Sequence, residues 1–539
     1  MPDQEVRGQE LAHPDAPSRP QSPAPGSPQS APPGRPAGVL PWRLSTRAGR
    51  WLSIFAVSLG LFIVRFLIPT PVGQADNHDG QRVMCAFGVA PVTDGFRRWA
   101  SYAYFQFAPS ASCAKIGVYP SSQLVLLGTA RLLTPVLGLP GTVNLIALGL
   151  LSCVIISVGI ASLATGLRLR LWAQLLVAAV SWLIMADVAF FDLYASPFSE
   201  PAALIGLLLV AAGLVYLGRG WRATVFGLLL AGPGGFLVIL AKEQYLILVL
   251  PICVALVLAG ATRGSGTGLR RFLTRQTVAA VAVAAFLTLM TAAYVYWDDT
   301  SSYAAILHHE QAVDMIFDDI VTGHDQARAD LRSLGLPASW ARYAGHDFWS
   351  KVSVRHDPLY PRYEGKLSDG TIARFLLTHP DRILGIGQHA AKYAMHFRVT
   401  FLGNYPPSAG HPPGALENRV EVVTWLVISI PSSLGLWLLL PLWAATAAIA
   451  IGALRLRLGG PWRREGAVVA LCMTGCAIAA FIPPAYFAGI SNTRHLVGSN
   501  LATLLAVLTG VALALSMARQ AIARLAGRDR QAPAPADHP

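Results

Sequence analysis

The sequence predicts an all-α polytopic membrane protein: about ten transmembrane helices, one further re-entrant or interfacial helix, and a small, mostly helical loop subdomain outside the bilayer. Three observations carry this. Apolar residues make up 53% of the 539-residue chain and charged residues only 13%, against roughly 25% charged in soluble domains. The apolar residues fall in long blocks of spanning length, with neither a period of 2 nor an amphipathic period of 3.6. The arginines fall in short runs between those blocks, where they act as topology signals. The net charge of +13 raises the question of nucleic acid, but no basic stripe carries interleaved aromatics, and no nucleic-acid partner is expected.

Segment 1–40 is rich in Pro, Ser and Gln, as in "PSRPQSPAPGSPQSAPPGRP". It cannot bury enough apolar area to fold and reads as a disordered cytoplasmic tail. The first apolar run lies deep in the chain and lacks a small-residue cleavage site, so it is a span and not a signal peptide. An N-terminal module, 51–296, holds spans at 51–68, 142–164, 171–190, 201–217, 223–241, 245–261 and 277–296. Its first outer loop is 69–120. A loop subdomain follows at 297–421. A C-terminal module, 424–517, holds the overlong run 424–454, read as tilted or partly interfacial, then 466–485 and 496–517. Segment 518–539 reads as a second disordered cytoplasmic tail. Pro233-Gly234-Gly235 marks a possible break inside one span.

The run 121–139 carries Arg131 near its middle. If it does not cross, six arginine clusters face the cytoplasm together: Arg43/Arg47/Arg50, Arg168/Arg170, Arg219/Arg222, Arg263/Arg270/Arg271/Arg275, Arg455/Arg457/Arg463/Arg464 and Arg519/Arg524/Arg528/Arg530. If it crosses, every cluster after the first moves outside. The run is therefore taken as re-entrant or interfacial.

Five acidic or basic stretches then sit at the outer ends of the spans or in the outer loop, and can line one cavity. They are "ADNHDGQR", "DLYASPFSE", "AKEQY", the loop 297–421 and "SNTRH". In the first, Asp76 and Asp79 are three apart and share a face if the chain starts helically there. A carboxylate beside a low-dielectric boundary can serve as a general base, although "DNHDG" is also good turn chemistry. Glu200 precedes Pro201, so helix capping explains it as well as function does. Asp187 lies inside an apolar run, where a carboxylate is a functional candidate by default. Lys242 and Glu243 end a span; Lys242 either snorkels or neutralises a phosphate. Arg494 and His495 begin the last span, and arginine grips phosphate bidentately. Cys85 and Cys113 share the first outer loop. An oxidising compartment allows a disulfide between them; the alternative is two unpaired thiols. The outer loop carries "HHE" (308–310) and the His-Asp pairs 324/325, 346/347 and 356/357. Metal binding is conceivable there, but no compact zinc-helix spacing indicates it, and no metal or cofactor is assigned.

This pattern of a polytopic chain with an acidic first outer loop resembles the GT-C superfamily of membrane glycosyltransferases. "ADNHDGQRVM" looks like the "ADNxD…RVM" stretch of bacterial glycan-biosynthesis hexose transferases of the WsfD type. "SPFSEPAAL", "AKEQY", "HPDRILGIGQHAA…FLGNY" and "RHLVGSNLATLL" resemble further stretches of that family, in the same order. The chain departs from the pattern with His78 in place of Gly and Gly80 in place of an aromatic. The resemblance implies hexose transfer from a polyprenyl-phosphate donor to a glycan or glycolipid acceptor, in a bacterial plasma membrane with the site outside. Asp76 and Asp79 are then the catalytic pair, with Asp76, closest to the span end, expected as base. Lys242, Arg494 and His495 would hold phosphate, and Glu200 and Asp187 sugar hydroxyls. His78, Arg82 and Glu243 complete the substrate-binding set. The rivals are a lipid-linked oligosaccharide flippase or exporter and a Wzy-like polymerase.

Overall fold

The computed structural model describes residues 46–92, 100–116, 119–261, 274–322, 326–456, 458, 462–489 and 493–529. The tail 1–40, the last ten residues, the pair His324/Asp325 and Arg43, Arg263, Arg270, Arg271 and Arg457 lie outside the described residues.

The principal helices are α1 (Arg47–Leu67), α2 (Gln123–Val136), α3 (Leu145–Gly166), α4 (Leu171–Ala186), α5 (Glu200–Leu214), α6 (Trp221–Ile239) and α7 (Val249–Gly260). They continue with α8 (Arg275–Thr300), α9 (Ser302–Asp314), α10 (Pro380–His396), α11 (Gly435–Leu456), α12 (Arg463–Phe487) and α13 (Val497–Asp529). Among the described residues, eight helices are long and apolar enough to cross a bilayer, some with a leading 3₁₀ turn. α4 and the short helix after Asp187 form a bent ninth, with 56° between the pieces. α5 is shorter, at 15 residues, and is buried along its whole length.

α2 has 14 residues, about 21 Å, against the ~30 Å hydrocarbon core. Its start is pinned to the end of α6: Ser121 Oγ donates to Ala241 O at 2.7 Å and Ser122 Oγ to Leu237 O at 2.5 Å. It therefore stays at one end of the bundle, as the re-entrant reading expects. The arginines collect at the opposite end. Arg47 donates to Thr165 O at 3.2 Å. Arg219 donates to Gly166 O at 2.6 Å and pairs with Glu465 at 2.9 Å. Arg464 donates to Leu258 O at 2.8 Å. The bundle thus has an arginine end and a loop end.

Several expectations change. The overlong run 424–454 is two pieces: a short helix, Val422–Ile428, then a break at Pro431 before α11. Pro233-Gly234-Gly235 does not break its span; α6 runs through it. The glycines there serve close packing instead. A Cβ on Gly206 of α5 would lie 2.5 Å from Gly234 O, and one on Gly213 would lie 2.4 Å from Gly227 O. Glycines seven apart on each of two antiparallel helices let the backbones touch, a common device in membrane bundles. Residues 518–529, expected as tail, continue α13 as helix. Two strands of the first loop, β1 (Val89–Pro91) and β2 (Gln106–Pro109), and β3 (Val143–Asn144) just before α3 form a small antiparallel sheet that the all-α reading did not include, in the order β1-β2-β3. Beside it Cys85 and Cys113 are joined, S–S 2.10 Å. The loop subdomain has its own core around Phe317, Leu331, Trp340, Ile372 and Phe375.

Candidate active site

After α1 the chain lies against the C-terminal part of the long loop. Gly73 N–H donates to Asn404 O at 3.1 Å and Ala75 N–H to Gly403 O at 2.9 Å. His78 then takes a left-handed conformation, φ +81°, turning the chain into the short helix Asp79–Met84. Asp76 Oδ1 accepts from Gly80 N–H at 2.9 Å, closing the turn. This puts Asp76 inward and Asp79 at the surface of a cavity.

Arg494, only 1% exposed, is the hub of that surface. Its Nη2 pairs with the Asp79 carboxylate, and its Nη1 donates to Asn77 Oδ1 at 3.1 Å. Its Nε lies 3.2 Å from Glu200 Oε1, and the guanidinium carbon stands 4.2 Å from the centre of the Phe198 ring. Arg82 lies 3.8 Å from Asp79 on the same side. Lys242 faces Asp79 as well, and its ammonium has no hydrogen-bond partner among the described residues. Glu243 accepts from the Tyr119 hydroxyl and from Gln311 Nε2 at 3.3 Å. Gln244 Nε2 donates to His495 O at 2.9 Å, tying the α6–α7 corner to the α12–α13 corner.

The cavity between these groups is about 250 Å³. Its walls come from all five outer stretches: Asn77, Asp79 and Arg82; Phe198 and Glu200; Lys242 and Glu243; Glu310, Gln311, Asp314 and Trp349 of the loop subdomain; and Arg494 and His495. Of the residues singled out from sequence, Asp79, Arg82, Glu200, Lys242, Glu243, Arg494 and His495 meet here.

Three do not. Asp76 is 7% exposed and stands behind the wall, with Oδ2 buried and without a hydrogen-bond partner. His78 is half-buried at the turn and is not on the wall. Asp187, expected to bind sugar hydroxyls, is corrected to a capping residue. Oδ1 accepts from Ala189 N–H at 3.1 Å and from the Thr424 hydroxyl, and Oδ2 accepts from Val423 N–H at 2.7 Å and Thr424 N–H at 3.0 Å. Each oxygen already accepts two bonds. They satisfy the bare N-termini of two helices at the bend after α4. Glu200 resolves the other way. The first turn of α5 is capped from outside, by Gln123 Oε1 accepting from Ala202 N–H at 3.0 Å, and Glu200 turns to Arg494.

The sequence reading missed Asn77, Tyr119, Phe198, Gln311, Asp314 and Trp349. "HHE" was noticed only as a metal candidate. Among the described residues no group of three His, Cys, Asp or Glu side chains is placed to hold a metal ion. Instead Glu310, Gln311 and Asp314 lie on one face of α9, one helical turn deep, and close the cavity.

The two carboxylates of the first loop are driven apart electrostatically. Burial, the largest influence on Asp76, outweighs the Gly80 N–H and pushes its carboxyl up to about 7, with the nearby Asp79 charge adding to it. Burial would raise Asp79 too, but Arg494, Lys242 and Arg82 outweigh it and hold Asp79 well below the usual carboxylate range. Burial also lifts Asp314 to about 7. The cavity thus holds Asp79 as an anion beside three cations, Arg82, Lys242 and Arg494, with Glu200, Glu243 and Glu310 also on its walls.

A nearly all-α chain whose apolar helices are long enough to span a bilayer, and whose span ends and loops build one polar cavity, is a multi-pass membrane protein. Residues 45–520 match the family described as the YfdI N-terminal transmembrane domain, and the chain belongs to that family. Neither a curated protein nor a solved structure shows a significant match.

Proposed function

We propose that this protein is a membrane glycosyltransferase of the GT-C type, moving a hexose from a polyprenyl-phosphate donor to a glycan or glycolipid acceptor on the outer side of a bacterial plasma membrane. The observation that carries this reading is the cavity at the loop end, where the Asp79 carboxylate faces Arg82, Lys242 and Arg494. A lipid-linked sugar stays at the bilayer surface, so its site belongs at the end of the spans. Displacement at the anomeric carbon needs cations to hold the departing phosphate and a base for the acceptor hydroxyl. The sequence resemblance to WsfD-type hexose transferases points to the same chemistry.

The acceptor oxygen attacks the anomeric carbon and the bond from that carbon to the phosphate oxygen breaks. The acceptor proton passes to a carboxylate, and polyprenyl phosphate leaves. The expectation that Asp76 takes the proton is replaced here by Asp79, because of the two carboxylates of the first loop Asp79 alone lines the cavity. While paired with Arg494, Asp79 is a weak base. A donor phosphate that engages Arg494 and Lys242 withdraws the charges that hold its pKa down, so Asp79 gains basicity once the donor is bound.

The test is release of labelled hexose from a synthetic polyprenyl-phosphate donor into the glycan fraction of membranes carrying the protein. Asp79→Asn is expected to lower turnover by roughly 10²–10⁴-fold with donor binding retained. Lys242→Ala is expected to weaken donor binding, since it meets the phosphate in ground and transition states alike. Full transfer by Asp79→Asn moves the base elsewhere. Movement of intact donor across the bilayer by the wild type, with no transfer, replaces the enzyme reading with transport.

A further inference from the structure

A second cavity lies apart from the one described above. It is a groove of about 960 Å³ between α4 and α13, running from the arginine end toward the bend after α4, where Val423 and Leu426 line it. Trp172, Leu176 and Ile184 form one wall, and Leu504, Val511 and Leu515 the other. From Trp172 to Ile184 the wall runs for about 18 Å of helix, close to the ~15 Å depth of one leaflet's hydrocarbon. Arg168, Arg170 and Arg519 line its mouth, and no aspartate or glutamate lines it.

These three arginines, like the exposed Arg222, Arg275 and Arg455 at the same end, carry no ion pair among the described residues; what sets them apart is that they stand together at the head of the groove. Arg47, Arg219 and Arg464, at the same end, spend their guanidinium groups on carbonyls or on Glu465. Arg168 and Arg170 are exposed and meet no carboxylate or carbonyl acceptor among the described residues. Arg519 is laid across the Trp172 ring at 4.9 Å, which fixes it over the groove. A topology signal alone needs only charge at this end. It does not need three uncompensated guanidinium groups at the head of an apolar slot one leaflet deep.

We propose that this groove is a structural site for one anionic phospholipid of the arginine-end leaflet. Its phosphate sits among Arg168, Arg170 and Arg519, and its acyl chains lie along α4 and α13. The depth of the slot suits diacyl chains, which end at mid-bilayer, and the head suits a net negative lipid over a zwitterion.

The experiment uses the full chain reconstituted in equimolar phosphatidylglycerol and phosphatidylcholine vesicles, re-extracted in mild detergent and weighed intact with its retained lipids. Each arginine near an anionic headgroup is worth about fivefold. Retained phosphatidylglycerol should therefore exceed phosphatidylcholine on the order of 10- to 100-fold in the wild type. The triple variant Arg168→Gln, Arg170→Gln, Arg519→Gln should still retain lipid, with the ratio near one. Val511→Trp, which fills the slot and leaves the charges, should lose both lipids. Equal retention by the wild type, no retained lipid, or an unchanged ratio in the triple variant overturns the proposal.

Discussion

Asp76 and Asp79 have the same chemistry and nearly the same address, yet the fold gives them opposite states. The difference comes from Arg494, 415 residues beyond Asp79, which reaches one carboxylate directly and acts on the other only at a distance. Spacing alone predicted a catalytic pair but could not rank its members, because ranking depends on that distant partner. The buried Asp76 makes a prediction of its own. Its carboxyl stays protonated up to about pH 7 in the folded protein but ionises near pH 4 once unfolded. Between those values the folded state holds more protons than the unfolded chain, so stability falls as pH rises. The contribution is complete below about pH 4 and is gone once pH passes 7. Asp76→Asn keeps the acceptor for Gly80 N–H and removes the titration. In thermal unfolding of detergent-solubilised protein, the melting temperature of Asp76→Asn relative to wild type should rise between pH 5 and pH 8. A difference that stays level across that range places the Asp76 pKa at its ordinary value.

Among the helices, the apolar blocks were legible because length and hydropathy alone decide a span. What happens at the block ends was not. Asp187 looked functional because an intramembrane carboxylate usually is; here it caps two helices whose meeting the sequence does not show. "ARQAIARLAG" looked like tail beside its Pro-rich neighbour, but Ala, Arg, Leu and Gln are strong helix formers and continue α13. Pro233-Gly234-Gly235 looked like a break because glycine has two uses, and only the neighbouring helix shows which applies. The contact between α5 and α6 matters for the cavity, since α5 begins at Glu200 and α6 ends just before Lys242. Gly206→Leu forces its Cβ to 2.5 Å from a backbone oxygen, a clash that no side-chain rotation relieves. The helices must part, at a cost of about 1–3 kcal/mol or more. Gly232→Ala, on the facing helix α6 and with its added Cβ 3.4 Å from a Val283 methyl, serves as the control. The melting temperature should drop several degrees for Gly206→Leu and stay within a degree or two for Gly232→Ala. Equal effects would show that the glycine contact is not what holds α5 and α6 together.

At the scale of the whole molecule, the two ends are chemically distinct, and this asymmetry assigns a side to each. The loop end also carries arginines, but its buried ones are paired. Arg65 meets Glu417, and Arg398 lies 3.8 Å from Asp192 and 3.6 Å from Glu421. Apart from Arg82, Lys115, Arg131 and Lys242, the remaining basic residues described there sit in the long loop, and long loops cross membranes largely regardless of charge. The other end keeps its arginines in short connections, where they do decide orientation. We therefore predict that the arginine end is cytoplasmic and the cavity extracytoplasmic, so that a lipid-linked donor is met on the outer leaflet. Single cysteines test this cleanly, because the four free cysteines are 153, 253, 472 and 476, each within a span. Lys351→Cys, exposed on the loop subdomain, and Arg222→Cys, exposed at the start of α6, are each offered a membrane-impermeant maleimide on intact cells and again after permeabilisation. Lys351→Cys should label at once, and Arg222→Cys only after permeabilisation. The reverse order would turn the cavity toward the cytoplasm, where soluble nucleotide sugars are at hand and a lipid-linked donor is no longer needed. Labelling of both on intact cells would mean that an even number of crossings separates Arg222 from Lys351, so that one of α6, α7 and α8 does not span.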